Sequence, residues 1–259
     1  MVPEESSLLL FKFSDYKWLK LIKEGNINFS CPGNYIDIAK RTGNNEQGDV
    51  DEGVFARLKK DDPKIGKAAK KLKDDLEIID EHNGYVKLRR RSSYFIPTFC
   101  FYSYRGSDLL NSSQDFSGYQ QIPHWFDDRM YKSFGQFLIR NVLNNDSYPA
   151  SLMIHVKPFK LRLQLAMCRQ GINFKMGNVN YTEFEKDEFY IEPDEKRSEL
   201  FYKFPQYSYQ KEARICLYDR PFKNIYSRLS VNIGSLEEED FSLNTKEIYF
   251  SIGANIIKN

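Results

Sequence analysis

Cysteine and histidine are scarce in this 259-residue chain: Cys31, Cys100, Cys168 and Cys216 stand 69, 68 and 48 residues apart, and His82, His124 and His155 are scattered. No Cys-x-x-Cys pair occurs and the histidines have no metal-ligand spacing, so no zinc chemistry is expected. Also missing are Gly-x-Ser-x-Gly, the Walker A pattern and Gly-x-Gly-x-x-Gly, which removes the commonest hydrolase, nucleotidase and dinucleotide signatures. No apolar run approaches the roughly 18 residues of a membrane helix. The opening Met1-Val2-Pro3-Glu4-Glu5 is acidic where a signal peptide is basic. These absences predict a soluble, cytoplasmic protein with reduced thiols and no membrane partner. Net charge is equally slight, with 38 basic residues against 36 acidic ones, so no global field demands a polyanionic partner.

Aromatic residues are plentiful: 20 Phe, 17 Tyr and 2 Trp, types that favour strands. Charge, although balanced overall, is segregated. Arg57 to Arg91 carries 12 basic and 7 acidic residues, and Glu183 to Glu199 carries 8 acidic and 3 basic. Such segregation reads as a solvated face or a docking surface. The periodicity predicts strands at Leu8 to Phe13, Ile27 to Ser30, Tyr94 to Tyr104, Leu152 to Val156, Ile172 to Phe174, Val179 to Phe184, Tyr209 to Tyr218, Arg228 to Ile233 and Glu247 to Ile252. A hairpin is expected around Asn83-Gly84, between Leu76 to Asp80 and Tyr85 to Arg89. Helices are expected from Ser14 to Gly25, over Lys64 to Asp75, from Met130 to Val142 and over 158–170, the last also alternating like a strand. Polar loops are expected from Pro32 to Gly53 and from Gly106 to Gly118. Without an internal repeat or clean linker, the pattern predicts one α+β domain over 1–259, with mixed, mainly antiparallel sheets and several flanking helices.

Three segments carry residue types suited to chemistry. Gly48-Asp49-Val50-Asp51-Glu52-Gly53 places three carboxylates between glycines, suited to orienting a substrate hydroxyl through Asp49 and Glu52 or to holding a hard cation, or else a solvated acidic turn. In Tyr209 to Tyr218, strand alternation projects Gln210, Glu212 and Arg214 to one side. A Glu beside an Arg stays ionised and is placed to stabilise a developing positive charge; the alternative is a surface ion-pair ladder. In Phe99 to Arg105, Tyr102 is placed either to stack on a flat ring or to fill a core. Arg89-Arg90-Arg91, beside Tyr94 and Phe95, forms a candidate phosphate-contact patch.

In order, these features resemble a family of bacterial and phage proteins of unknown function. The chain opens with an aromatic-basic strand, Leu10-Phe11-Lys12-Phe13, and a helix ending at Gly25. It continues with the acidic element Gly48 to Glu52, the strand Phe99-Cys100-Phe101-Tyr102-Ser103, and a late block running from Lys203 through Tyr209 to Glu212 and Arg214. That layout is similar to the ADP-ribosyltransferase-like superfamily, which includes toxins that modify nucleic acid. The resemblance implies NAD as cofactor, held by Lys12 (where an early-strand His or Arg would lie), by Tyr102 or Ser103, and by Arg214. It implies Glu212 as the catalytic carboxylate, and a role in bacterial or phage conflict with a nucleic acid or a protein as acceptor. Two other readings stand beside it: a non-enzymatic module that binds nucleic acid or protein through Arg89, Arg90 and Arg91, and a metal-dependent phosphodiesterase using Asp49, Asp51 and Glu52.

Overall fold

A computed structural model describes residues 6–43, 48–81, 83–111, 119–125, 129, 149–182, 188–236, 241–243 and 247–253. The fold is mixed α+β with mainly antiparallel sheets. Among the described residues, no helix is long and apolar enough to cross a membrane. The chain divides into two compact units, each built from separated segments.

The first unit comprises Met1–Asn26, Phe101–Arg162 and Gly234–Asn259. Its central strand, Ser7–Asp15, is antiparallel to Pro149–His155, with Leu10 opposite Ile154, and to the Phe101 to Arg105 stretch, with Phe11 opposite Tyr102. Phe241–Leu243 extends the run beyond Pro149–His155. Leu10, Phe11, Tyr104, Leu152, Ile154 and Phe159 form its interior, and the Phe101 and Phe159 rings meet edge to face at 5.2 Å. The first strand continues to Asp15, so the helix Tyr16–Lys23 starts without a side-chain cap from Ser14. On that helix Leu19 and Ile22 turn inward, while Trp18 is half exposed.

Gly25 ends that helix at φ +93°, and a Cβ there would lie 2.3 Å from the Gly234 carbonyl oxygen. Gly25→Ala is therefore expected to cost about 1–3 kcal/mol from left-handed strain and backbone overlap. An unchanged melting temperature would overturn that account.

The second unit comprises Ile27–Cys100 and Leu163–Ile233. Its four-stranded sheet runs in the order Phe189–Tyr190, Val54–Lys59, Tyr85–Arg90, Leu76–Asp80. The hairpin forms as the Asn83-Gly84 signal predicts, with Ile78 opposite Leu88. The helix Pro63–Leu72 is initiated by the Asp62 carboxylate, which accepts from the Lys64 N–H at 2.7 Å. It lays Ala68 against Phe55, Leu58 and Leu88 and leaves its lysines outside. Elsewhere in this unit Glu212–Cys216 is antiparallel to Lys175–Asn178, and Asn180–Tyr181 runs parallel to Tyr202–Lys203.

Several expected elements are corrected. Pro32 to Thr42 is a helix, not part of a polar loop: Pro32 occupies its first turn, Ile36 and Ala39 are buried, and Gly43 closes it at φ +67°. Gly106–Asn111 is likewise helical. Ahead of Pro97 the chain forms a 3-10 turn, Arg91–Phe95, and the strand begins only at Thr98. The proline ring fixes the backbone and removes a ladder donor, which explains the late start. Ile172 to Phe174 is not a strand; pairing starts at Lys175. Of Val179 to Phe184, only Asn180–Tyr181 pairs as a strand among the described residues. The ambiguous 158–170 stretch is helical, within Val156–Gln170. The helix expected over Met130 to Val142 lies outside the described residues, as do 112–118 of the expected Gly106 to Gly118 loop.

Candidate functional site

The 3-10 turn Pro205–Gln210 ends at Lys211, whose positive φ of 39° redirects the chain into Glu212–Cys216. This strand is shorter than the sequence predicts, and every residue in it is buried. Alternation still places Glu212 and Arg214 on one face, and Arg214 Nε donates to Glu212 Oε1 at 2.7 Å.

Arg214 also reaches across to Glu52: Nη1 donates to Oε1 and Nη2 to Oε2, the latter at 3.3 Å, in a two-pronged pairing. Nη1 is further bonded to the Leu200 carbonyl. Lys203 closes the figure from the opposite side, with Nζ 2.8 Å from Glu212 Oε2, 3.7 Å from Glu52 Oε2 and 3.0 Å from Gln210 Oε1. The result is an alternating square of two carboxylates and two cations, all within the second unit. Its corners are 3–8% exposed. Two further groups fix Glu212: its backbone N–H donates to the Tyr181 hydroxyl at 2.8 Å, and the Cys100 thiol hydrogen-bonds its carboxylate. Burial alone would raise the Glu212 pKa, but the charges of Arg214 and Lys203 outweigh it and hold the carboxyl well below the usual range. Lys203 is shifted in the complementary sense, upward, because Glu212 and Glu52 together overcome its desolvation.

Glu52 enters the square from the acidic turn. Asp49 Oδ1 accepts from the Asp51 N–H at 2.8 Å, a local turn that sends the three carboxylates in different directions. Asp51 faces outward to Lys87 at 3.0 Å, and Glu52 faces inward to Arg214. Asp49 is 3% exposed and its Oδ2 has no hydrogen-bond partner. Its burial, together with the charge of Glu52, lifts its pKa to about 7 against the pull of Lys203. The square is electrically balanced without Asp49, so this fifth group has no cation left to itself. Among the described residues no three His, Cys, Asp or Glu side chains are grouped as metal ligands, and the divergence of Asp49, Asp51 and Glu52 is the physical reason at this turn.

Of the arginines expected to meet phosphate, Arg89 and Arg90 are engaged by internal carboxylates, while Arg91 is exposed. Arg89, 4% exposed, bonds Glu77 at 3.0 Å and donates to the carbonyls of Val50 at 2.9 Å and Glu52 at 3.3 Å, so it braces the acidic turn. Arg90 pairs with Asp75 at 3.3 Å and donates to the Asp194 carbonyl at 2.7 Å, and Arg91 donates to the Leu76 carbonyl at 3.4 Å. The basic and acidic blocks of the sequence compensate one another in part: Lys59 pairs with Glu188, Lys71 with Glu192, and Arg90 lies 3.8 Å from Glu199.

Lys12, Tyr102 and Ser103 belong to the first unit. Lys12 is half-buried opposite Leu152 in the strand register. Tyr102 is 5% exposed, with Phe11 and Phe13 each edge-on at 6.2 Å, which makes it a core tyrosine. The Ser103 and Ser7 hydroxyls are 2.7 Å apart. Two participants in the charged square carried weaker signals in the sequence. Lys203 was marked only by its place in the late block, and Glu52 gave no hint of Arg214, a partner 162 residues away. Compared with protein-family models, curated proteins and solved structures, the chain matches none.

Proposed function

We propose that the Glu52–Lys203–Glu212–Arg214 square is the reaction centre of an ADP-ribosyltransferase-like enzyme of bacterial or phage conflict, acting on NAD in the cytoplasm. The observation that carries this reading is Glu212 itself: a carboxylate kept ionised in a buried strand by Arg214 and Lys203. In such a transfer the bond between the ribose C1′ and the nicotinamide nitrogen breaks, and its electron pair leaves with nicotinamide. The remaining ribosyl group carries positive charge until the acceptor, a nucleic acid or a protein, forms the new bond and loses its proton. A fixed anion beside that charge stabilises the transition state without having to reorganise. Asp49, titrating near neutrality, is suited to take the acceptor's proton.

The test is nicotinamide release from NAD by the purified chain, with and without nucleic acid, compared with Glu212→Gln. Release by the wild type is expected to fall at least about 100-fold in the variant, the scale typical of removing one preorganised electrostatic group. A second reading has its own observation: Glu212 is only 6% exposed and its partners are all internal, as in a structural fastener within a binding module. No release and no thermal shift with NAD would favour that module and count against the transferase.

A further inference from the structure

Beyond the charged square, the second unit contains an open cavity of about 580 Å³ formed where the chain loops back after Glu212–Cys216. Its size lies within the roughly 300–1,000 Å³ range of small-molecule sites. The loop is pinned by backbone bonds: Leu217 N–H donates to the Pro97 carbonyl at 2.9 Å, and Phe222 N–H to the Phe95 carbonyl at 2.8 Å. The Asn224 side chain then turns the chain by accepting from the Tyr226 N–H at 2.9 Å.

The lining has a lopsided chemistry. Arg220, Lys223 and Arg228 line it and no carboxylate does, while Ile172, Pro221 and Phe222 supply an apolar wall. Arg220 donates to the Gly171 carbonyl at 3.0 Å, beside the C-terminal end of the Val156–Gln170 helix. Arg228 donates to the carbonyls of Tyr226 at 3.3 Å and Ser227 at 2.9 Å. Neither guanidinium is in an ion pair among the described residues, and Lys223 has no bonded partner among them. All three side chains are exposed and line the same cavity. In the Arg57 to Arg91 block, by contrast, Arg57, Lys59, Lys60, Lys71, Lys87, Arg89 and Arg90 each lie in an ion pair with a carboxylate.

We infer that this cavity is a nucleotide-phosphate site, in which Lys223, Arg228 and Arg220 engage the phosphate oxygens and Phe222 with Pro221 lies against the base. Arginine forks and a lysine point charge match phosphate oxygens, and a flat ring accepts any base by stacking. The site is separate from the proposed reaction centre, so its test reads binding rather than nicotinamide release.

Two probes distinguish a free nucleotide from a strand: ADP followed by calorimetry, and a short fluorescein-labelled oligothymidylate followed by polarisation. Both are titrated into the full chain, into Lys223→Ala/Arg228→Ala and into Lys67→Ala/Lys70→Ala, a charge-matched change at two exposed lysines of the Pro63–Leu72 helix. The expected result is at least about tenfold weaker binding in the Lys223→Ala/Arg228→Ala variant, from loss of two charge-assisted contacts, with Lys67→Ala/Lys70→Ala retaining wild-type affinity. Binding of ADP alone assigns a free nucleotide; binding of the strand as well, weakening steeply with salt, assigns nucleic acid. Lys223 and Arg228 are exposed, so matching melting curves will confirm that the double variant is folded. Absence of binding by both probes, unchanged affinity in the Lys223→Ala/Arg228→Ala variant, or equal loss in Lys67→Ala/Lys70→Ala would overturn the site.

Discussion

Arg214→Met is expected to destabilise the second unit by about 3–5 kcal/mol, the usual cost of removing one partner from a buried ion pair. The guanidinium bonds Glu52, Glu212 and the Leu200 carbonyl, and methionine replaces its volume but none of its donors. Lys203 would then face two buried carboxylates alone. The denaturant midpoint followed by circular dichroism measures the loss. Adding Glu52→Gln to the same chain removes one of the stranded charges. The double variant should therefore recover part of the loss, a coupling expected only for residues in direct contact. A cost below about 1 kcal/mol for Arg214→Met, or strict additivity, would mean the square contributes little to stability.

The second large effect concerns acid and base. Asp49 has an ordinary pKa of 3.8 when unfolded and about 7 in the folded protein. Below 3.8 the carboxyl is protonated in both states and exerts no pull. Between the two values the folded chain holds a proton that the unfolded chain has released, so stability falls as pH rises, by about 1.4 kcal/mol per pH unit. By pH 8 the accumulated loss approaches about 4 kcal/mol. Asp49→Asn retains the oxygen that accepts from Asp51 and removes the titration. It should match the wild type near pH 4 and be markedly more stable at pH 8, as read by melting curves across that range. Buried Glu199 is raised in the same direction, so the difference between variant and wild type isolates Asp49. Parallel pH profiles for the two proteins would refute the assignment. Glu212 behaves oppositely: its pKa is depressed, so its stabilisation is present above the ordinary glutamate value and disappears only in strong acid.

Legibility in the sequence followed the range of the interaction. Glu212 and Arg214 are two residues apart, and strand alternation alone brings them together. The hairpin at Asn83-Gly84 and the helix framed by Pro158 and Gly171 were readable for the same reason, since their determinants are local. The helix Pro32–Thr42 was hidden because its inward face is small, carried by Ile36 and Ala39 among polar neighbours. The internal pairing of the basic run from Arg57 to Arg91 was not legible, because its carboxylate partners include Glu188, Glu192 and Glu199, more than a hundred residues downstream. Nothing near Glu52 in the chain announces Arg214, because the strand that carries it pairs with Lys175–Asn178 and its position is set by tertiary packing.

The distance along the chain between those two residues also sets a clock. Glu52 leaves the ribosome 162 residues ahead of Arg214, which at about 5–20 residues per second is roughly 8–32 s of synthesis. For most of that interval the Glu52 carboxylate has neither of its partners in the square, since Lys203 precedes Arg214 by only 11 residues. The nascent second unit must therefore keep the turn hydrated until residues 203–214 emerge, and a chain arrested before them has no means of closing the square.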